Sequence, residues 1–277
     1  MKSVNIGEYI KGLLCPKLLL ITPPPYNEQM LRKYLLKHRL LFARWITNFD
    51  CGYETEWYHV IKDEPFDIST LKAKRRYEVN KGNKNYYTKI IFPFDYKQDI
   101  ENVIKESYKS YPLKYRPIVD EAFMSRCLKE WSSENVVVIG VFDKNEKRMS
   151  GFACLNCLGD YINYFMHKVL PQDEKKAVNA ALVYGALQYW QENKKYKYIT
   201  DGQRAIKHET NFQDYLIKYF EFRKAYCQLH VLYNPVIKPV IIALYPMINI
   251  LSKFCSNGII YNVYCILKQE EIRRSFL

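Results

Sequence analysis

The chain has 277 residues, of which 48% are hydrophobic and 26% are charged, and its formal net charge is +13. This composition excludes an intrinsically disordered chain, and the length allows one large domain, or a domain with appendages, around a full hydrophobic core. The positive charge favours anionic partners such as nucleic acid, a phosphorylated cofactor or an anionic membrane surface. A solvated basic surface explains the same charge equally well.

The start of the chain shows no secretory signal, because only a short apolar run precedes its proline triplet. We therefore expect a cytoplasmic protein with reduced cysteines. Residues 1–33 are predicted to form an extended arm. Aromatic-rich segments at Leu40–Ile46 and Glu56–Ile61 predict two strands, and the turn-forming residues Asn48–Gly52 between them predict a hairpin.

A strongly basic segment follows this hairpin region. A helix is predicted over Leu71–Lys81, with Ser69 as its cap and Gly82 at its end. The segment contains one acid, Glu78, among many cations: Lys72, Lys74, Arg75, Arg76, Lys81, Lys84 and Lys89. Lys72–Lys89 is therefore the candidate surface for phosphates of tRNA or of an anionic membrane. A solvated helix face is the alternative.

The middle of the chain alternates strands and helices. The predicted elements are a strand at Tyr87–Phe92, helices at Lys97–Tyr111 and Val119–Ser132, a hairpin of Val136–Phe142 with Ser150–Leu158, and a strand at Tyr161–Leu170. Five further elements follow: a helix at Glu174–Glu192, a strand at Tyr196–Thr200, a turn at Asp201–Arg204, a helix at Thr210–Phe222 and a strand at Lys224–Tyr233. This alternation predicts an α/β layer in which helices cover the sheet.

The composition changes after residue 233. Val236–Leu251 is almost uncharged and fits a helix, but it is too short to cross a bilayer comfortably. It either packs on the domain or lies on a membrane surface. Ile259–Leu267 is predicted to be a strand. The predicted divisions are therefore residues 1–85, 86–233 and 234–277.

One CxxC pair, Cys154 and Cys157, falls on a predicted strand. Residues three apart on a strand point to opposite faces, so this pair is poorly placed to share a metal ion. We predict structural cysteines and no metal site.

The order of two helices, a hairpin, a third strand, a helix, a strand, a helix and a strand resembles the GNAT acyltransferase fold, and within it bacterial FemAB-like proteins. The segments that carry the resemblance are Asp201-Gly-Gln-Arg204, His208–Leu216, Phe220–Tyr226 and the basic Lys74–Gly82. The resemblance implies a mixed, mostly antiparallel twisted sheet flanked by helices, with an N-terminal hairpin region and an apolar C-terminal helix. It also implies transfer of an acyl or aminoacyl group from a thioester or ester to an amine or hydroxyl, for example on a sugar or cell-envelope precursor.

In GNAT enzymes the phosphates of coenzyme A rest on a helix start that follows a Q/R-x-x-G-x-G/A pattern, where free amides and the helix dipole attract anions. The matching residues here are Gln172, Lys175, Lys176 and Ala177, with Lys175 in place of the first glycine. Asp173 and Glu174 are expected to repel a pyrophosphate. An aminoacyl-tRNA donor of the FemAB-like kind would use the basic surface instead. Acyl-coenzyme A and aminoacyl-tRNA thus both stay open as donors.

The candidate catalytic residues are Asp201, Arg204 and His208. Asp201 or Glu209 would orient His208 as a base, and Arg204 would hold an anionic group. Turn and cap roles explain the same residue types. His167, Tyr164 and Tyr226 are further candidates without a distinguishing signal.

Two functions follow from these residues. The first is an acyltransferase, cytoplasmic or peripheral at the membrane. The alternative is a non-catalytic GNAT-like binding protein that holds nucleic acid or a membrane through its basic surface.

Overall fold

The structure, a computed structural model, describes residues 18–20, 27–111, 116–206, 211–255 and 258–276. The strands are β1 Leu18–Leu20, β2 Phe42–Thr47, β3 Trp57–Lys62, β4 Tyr86–Ile91, β5 Val136–Asp143, β6 Met149–Leu158, β7 Tyr161–Val169, β8 Tyr198–Gln203 and β9 Arg223–Tyr233. The helices are α1 Glu28–Lys37, α2 Ala73–Asn85, α3 Lys97–Tyr108, α4 Glu121–Trp131, α5 Val178–Glu192, α6 Phe212–Phe220, α7 Lys238–Leu244, α8 Ile248–Leu251 and α9 Gly258–Arg274.

The chain forms two compact units. The first unit comprises Met1–His59, Gln203–Thr210 and Lys224–Leu277, and the second comprises Val60–Gly202 and Asn211–Arg223. The division predicted from composition, at residues 85 and 233, stays a prediction.

The second unit contains the predicted sheet. β4, β5, β6 and β7 pair antiparallel in that order, and β7 then pairs parallel with β8. The apolar faces of α3 and α4 pack on this sheet in one cluster, which includes Ile100, Val103, Met124, Leu128, Val138 and Phe152. The predicted hairpin of β5 and β6 is confirmed, and so is a mixed, mostly antiparallel sheet flanked by helices.

The parallel pair β7 and β8 separates early. Only Tyr161–Asn163 pairs with residues 198–200, although β7 continues to Val169 and β8 to Gln203. Backbone groups beyond the last pair, Asn163 with Thr200, therefore have no partner across this strand pair. This separation creates the sheet edge on which the candidate site is built.

Two predictions for helix α2 are wrong. The helix continues past Gly82 to Asn85, and Ser69 does not cap it, because the helix begins at Ala73 without a side-chain cap. Gly82 is instead buried in the helix where α2 crosses the start of α5. A Cβ at Gly82 would lie 2.7 Å from the Ala177 carbonyl oxygen and 2.9 Å from the Ala181 nitrogen. Glycine is needed here because it lets two backbones approach closely.

We expect Gly82→Ala to destabilise the protein by about 2–3 kcal/mol, since backbone atoms cannot yield to the added methyl group as a flexible side chain would. Urea unfolding measures the change. Gly258→Ala is the matched control, because nothing lies within 4 Å of a Cβ added there. Equal effects of the two substitutions would show that Gly82 has no special packing role.

In the first unit, β2 pairs in parallel with β1 on one edge and antiparallel with β9 on the other. Both edges of β2 are therefore occupied, and the predicted hairpin of β2 with the Glu56–Ile61 segment is wrong. The extended arm predicted for residues 1–33 is also wrong at its end. Helix α1 begins at Glu28, and the Asn27 side chain caps it by accepting a hydrogen bond from the Met30 amide. Most of the rest of that arm lies outside the described residues.

The C-terminal segment is mostly helical in its described part. The predicted helix at Val236–Leu251 is present as α7 and α8, with a 3-10 turn at Tyr245–Met247 where Pro246 interrupts the hydrogen bonding. The strand predicted at Ile259–Leu267 is wrong, since these residues lie in α9. Within the described ranges, none of the helices is long and apolar enough to cross a membrane.

Candidate functional site

Asp201 lies on β8 immediately after the last residue that pairs with β7. The turn predicted at Asp201–Arg204 is wrong, because Asp201–Gln203 continues the strand. The only turn-like feature is Gly202, whose φ of 83° suits glycine and whose amide donates to the Thr200 hydroxyl at 2.9 Å. The strand thus carries the Asp201 carboxyl past the point where β7 and β8 separate.

Burial raises the pKa of Asp201 to about 7, and a hydrogen bond from the Gln213 side chain of α6 opposes this rise. A carboxyl group in low-dielectric surroundings resists ionisation because its charged form loses hydration. Near neutral pH the group is therefore divided between its acid and base forms. That is the property required of a carboxylate that removes a proton from a substrate.

A part-buried series of hydrogen bonds runs from Tyr164 through His167 to Asn179 at the start of α5. The Nε2 of His167 lies 2.7 Å from Asn179 Oδ1, and its Nδ1 lies 2.6 Å from the Tyr164 hydroxyl. Because the Asn179 oxygen can only accept, Nε2 carries the proton and the Tyr164 hydroxyl donates to Nδ1. Burial lowers the pKa of His167 to about 4, so the ring is neutral.

The Tyr164 hydroxyl is near enough to Asp201 to be affected by the charge of that carboxyl. Burial, followed by the nearby Asp201 charge, raises the pKa of Tyr164, so its hydroxyl stays protonated. Phe212 of α6 covers the His167 ring, with 4.6 Å between the ring centroids. Tyr164 and His167 therefore act as fixed neutral groups that shape the surroundings of Asp201.

A bulge in β7 explains how Tyr164 and His167 meet. Residues three apart on a regular strand face opposite sides, but Cys154 pairs with Met166 while Leu155 pairs with Tyr164, so Phe165 is an extra residue. The extra residue restores both side chains to one face. No residue pattern marks this bulge, which is why neither Tyr164 nor His167 could be distinguished as a site residue.

The two cysteines of the CxxC pair have different surroundings. Cys154 is fully buried in the cluster with α3 and α4. Cys157 is half-buried, and its sulfur lies 4.0 Å from the Tyr189 hydroxyl of α5. Among the described residues no group of three or more His, Cys, Asp or Glu side chains could hold a metal ion.

The start of α5 differs from the sequence-based expectation. Residues Pro171–Lys176 form a 3-10 turn, Ala177 follows with a φ of 64°, and α5 begins at Val178 rather than Glu174. No side chain caps the helix. The first amides of α5, from Val178 to Ala180, therefore have no acceptor within the helix and give its start a partial positive charge.

Asp173 cannot repel an anion here, contrary to expectation. Its side chain is buried and accepts two hydrogen bonds from the Arg148 guanidinium, at 2.8 and 3.0 Å. The ion pair neutralises the carboxylate inside the protein. Of the two acids in this loop, only Glu174 is exposed.

The basic helix α2 meets the same junction. Gly82 packs on Ala177, and the Asn85 amide donates to the Lys176 carbonyl at 3.2 Å. The last turn of α2, which carries the exposed Lys84, therefore adjoins the loop of the exposed Lys175 and Lys176. The junction of α2 and α5 joins a helix N-terminus to a group of cations, and this combination suits a phosphate group.

The other predicted catalytic residues have different surroundings or are not described. In the first unit, Arg204 donates to the backbone oxygen and carboxylate of Glu56, at 2.6 and 2.9 Å, and its guanidinium lies 5.8 Å from the Tyr58 ring centroid. Tyr226 donates to Glu54. His208 and Glu209 lie outside the described residues. The roles of Asp201, Arg204 and His208, and of Gln172, Lys175, Lys176 and Ala177, stay predictions.

No model of a protein family and no curated protein matches this sequence, but solved structures do. L-PGS from Bacillus licheniformis matches with a TM-score of 0.53 and 12% identity, over 82% of this chain and 80% of that chain. A conserved protein of unknown function from Bacteroides thetaiotaomicron matches with a TM-score of 0.53 and 12% identity, over 77% and 78%. The C-terminal DUF2156 domain of a candidate lysylphosphatidylglycerol synthetase from Agrobacterium fabrum matches with a TM-score of 0.50 and 11% identity, over 74% of this chain and 72% of that chain.

These matches show the fold alone: the chain shares a mixed, mostly antiparallel sheet flanked by helices with these solved structures, and the order of its elements is GNAT-like. The finer resemblance to FemAB-like proteins stays a prediction.

Proposed function

We propose that this protein is an acyltransferase, which moves an acyl or aminoacyl group from a thioester or ester donor to an amine or hydroxyl acceptor. The observation that carries this proposal is the position of Asp201, a carboxyl with a pKa of about 7 at the point where β7 and β8 separate. The GNAT-like fold supports the same class of reaction, although a fold alone does not fix an activity.

The proposed reaction assigns Asp201 the role of base. The acceptor nitrogen or oxygen attacks the donor carbonyl carbon while its proton passes to the Asp201 carboxylate. The carbon–sulfur or carbon–oxygen bond of the donor then breaks, and the proton returns to the leaving group or to water. Tyr164 and His167 are positioning residues, because they hold the buried surroundings that keep the pKa of Asp201 near neutrality.

The donor would be held by its phosphates at the junction of α2 and α5. Coenzyme A fits the chemistry of this junction, since the uncapped amides of α5 and the side chains of Lys84 and Lys175 favour an anion, while Asp173 pairs with Arg148 and Lys176 pairs with Asp143. When bound, an acyl-coenzyme A supplies the activated thioester. An aminoacyl-tRNA offers phosphates to the same cations, and the length of the basic helix α2 favours an extended polyanion.

The acceptor class follows from the chemistry alone: an amine or a hydroxyl on a small molecule, a glycan precursor or a lipid headgroup. One similar structure is named for lysylphosphatidylglycerol, an aminoacylated lipid, which supports including a headgroup hydroxyl. The cations of α2 also favour the second candidate function, a non-catalytic protein that holds an anionic partner.

Replacing Lys84 and Lys175 together by Gln is expected to weaken donor binding about 10-fold, the loss of roughly 1.4 kcal/mol of charge-assisted contacts. Titration with acetyl-coenzyme A, longer acyl-coenzyme A species and aminoacyl-tRNA measures the change and identifies the donor. Lys129→Gln on α4 is the matched control and should bind as the wild type does. Donor binding without discharge to any acceptor would favour the non-catalytic alternative.

A further inference from the structure

The C-terminal helical segment carries two apolar stripes rather than one. The inward stripe packs in the core of the first unit and consists of Ile237, Ile241, Leu244, Ile248 and Leu251. The outward stripe is 42% to 72% exposed and consists of Val236, Val240, Met247, Ile250 and Phe254. Its members recur at spacings of four, seven, three and four residues, so they share one side of the helical path. Single exposed apolar residues are ordinary, but five on one side form a surface that needs a partner.

Along the chain, the charged residues that flank the outward stripe are all positive. No Asp or Glu occurs between Phe222 and Gln269, whereas Lys238 and Lys253 lie on the same helical path as the stripe. The whole chain carries an excess of 13 positive charges. An apolar stripe beside lysines and without carboxylates is typical of a helix that lies in the interface of an anionic bilayer.

The same charges argue against a second copy of this chain as the occupant. In a symmetric dimer built on this stripe, Lys238 and Lys253 of each copy would face a surface that carries the same cations. Like charges brought together in this way oppose association. An anionic surface attracts the lysines and accepts the apolar side chains.

A cavity beside α7 adds a place for a headgroup. It has a volume of about 220 Å³, and its charged lining consists of Arg32, Lys238, Arg273, Arg274, Glu28 and Glu270. Glu28 pairs with Arg32, and the buried Glu270 pairs with both Arg273 and Arg274. Lys238 has no carboxylate partner within the described ranges. Four cations against two carboxylates leave an excess of positive charge that suits a phosphate.

We propose that this face of the first unit binds the surface of an anionic phospholipid bilayer. The outward stripe inserts at the boundary between headgroups and acyl chains, and Lys238, Lys253 and the cavity cations contact lipid phosphates. This binding does not depend on the proposed acyl transfer, so either can fail while the other holds.

Flotation with lipid vesicles tests the proposal. Vesicles of phosphatidylcholine with phosphatidylglycerol are compared with vesicles of phosphatidylcholine alone, at low and high salt. The full chain should bind the anionic vesicles, bind the neutral ones at least about 10-fold more weakly, and lose part of its affinity at high salt. Replacing Ile250 and Phe254 together by Asn should weaken binding to anionic vesicles about 10-fold or more.

Ile118→Asn is the matched control, because Ile118 is 82% exposed in the second unit and should not affect vesicle binding. Thermal unfolding of each variant checks that it is folded, as expected for changes at exposed positions. Equal binding to neutral and anionic vesicles, equal loss with Ile118→Asn, or no binding at all would overturn the proposal. A concentration-dependent dimer that the Ile250 and Phe254 change dissolves, without vesicle binding, would assign the face to a second copy.

Discussion

Asp201→Asn is expected to produce a protein that is more stable than the wild type at pH 8 and about 10²–10⁴-fold slower in transfer. The loss of rate follows because an amide cannot accept the acceptor's proton. The gain in stability follows because the wild type must bury a charge above pH 7. The pKa of Asp201 rises from 3.8 in the unfolded chain to about 7, which corresponds to at most about 4 kcal/mol.

The sign of the pH dependence is specific. A carboxyl whose folded pKa is raised costs nothing below pH 3.8 and its full penalty above about pH 7. The free energy of unfolding of Asp201→Asn, minus that of the wild type, should therefore rise between pH 4 and pH 7 and then level off. Urea unfolding across this range measures it.

His167 acts in the opposite direction in nearly the same range. Its folded pKa is lowered from 6.5 to about 4, so its contribution to stability is lost as the pH falls through that interval. The two effects partly cancel in the wild type, and only the difference between variants isolates Asp201. Asp214→Asn, at an exposed acid on α6, is the matched control and should change neither stability nor rate. A stability difference for Asp201→Asn that does not vary with pH would contradict the assigned pKa.

Arg148→Met is expected to destabilise the protein by about 3–5 kcal/mol, the second large effect. The substitution leaves the buried Asp173 carboxylate without its two hydrogen bonds from the guanidinium. Thermal and urea unfolding measure the loss. Lys144→Met is a suitable control, since Lys144 is exposed and its ammonium donates to a backbone carbonyl oxygen, that of Asn83, rather than to a buried carboxylate.

The loss of stability in Arg148→Met has two possible causes, the unpaired Asp173 charge and the lost packing of the Arg148 side chain. The double variant Arg148→Met with Asp173→Asn separates them. If the unpaired charge is the cause, the double variant should recover about half or more of the stability, because an amide costs less to bury than a carboxylate. No recovery would show that Arg148 acts through packing of its aliphatic part instead. The single variant Arg148→Met should also weaken donor binding, because its Asp173 carboxylate then presents an unpaired negative charge beside the start of α5.

The repeating patterns in the sequence predicted most of the second unit. The apolar period of α3, α4 and α6 and the alternation of β5 and β6 are local properties, which one sequence contains in full. The strand predicted at Ile259–Leu267 failed for a local reason as well. Ile, Val and Tyr favour strands intrinsically, but in α9 the burial of Leu267 and Ile272 against the first unit outweighs that preference.

The site was harder to predict because it depends on departures from regular geometry. The bulge at Phe165 brings Tyr164 and His167 together, and nothing local marks it. Gly82 looked like the end of a helix, yet it is a packing position whose reason lies at Ala177, 95 residues further along the chain. The ion pair of Arg148 with Asp173 is likewise a contact between residues distant in sequence. Asp201 was identifiable only by its place after a short strand, and the structure adds the burial that sets its pKa.

The pH dependence of donor discharge in the wild type and in Asp201→Asn tests the proposed function most directly. With the donor found by titration and an amine or hydroxyl acceptor, kcat/KM of the wild type should rise with an apparent pKa of about 7, because only the Asp201 carboxylate accepts the proton. Asp201→Asn should lose this dependence together with most of the rate, while it still binds the donor. A variant that discharges the donor as fast as the wild type, with the same pH profile, would contradict the assignment of Asp201 as the base.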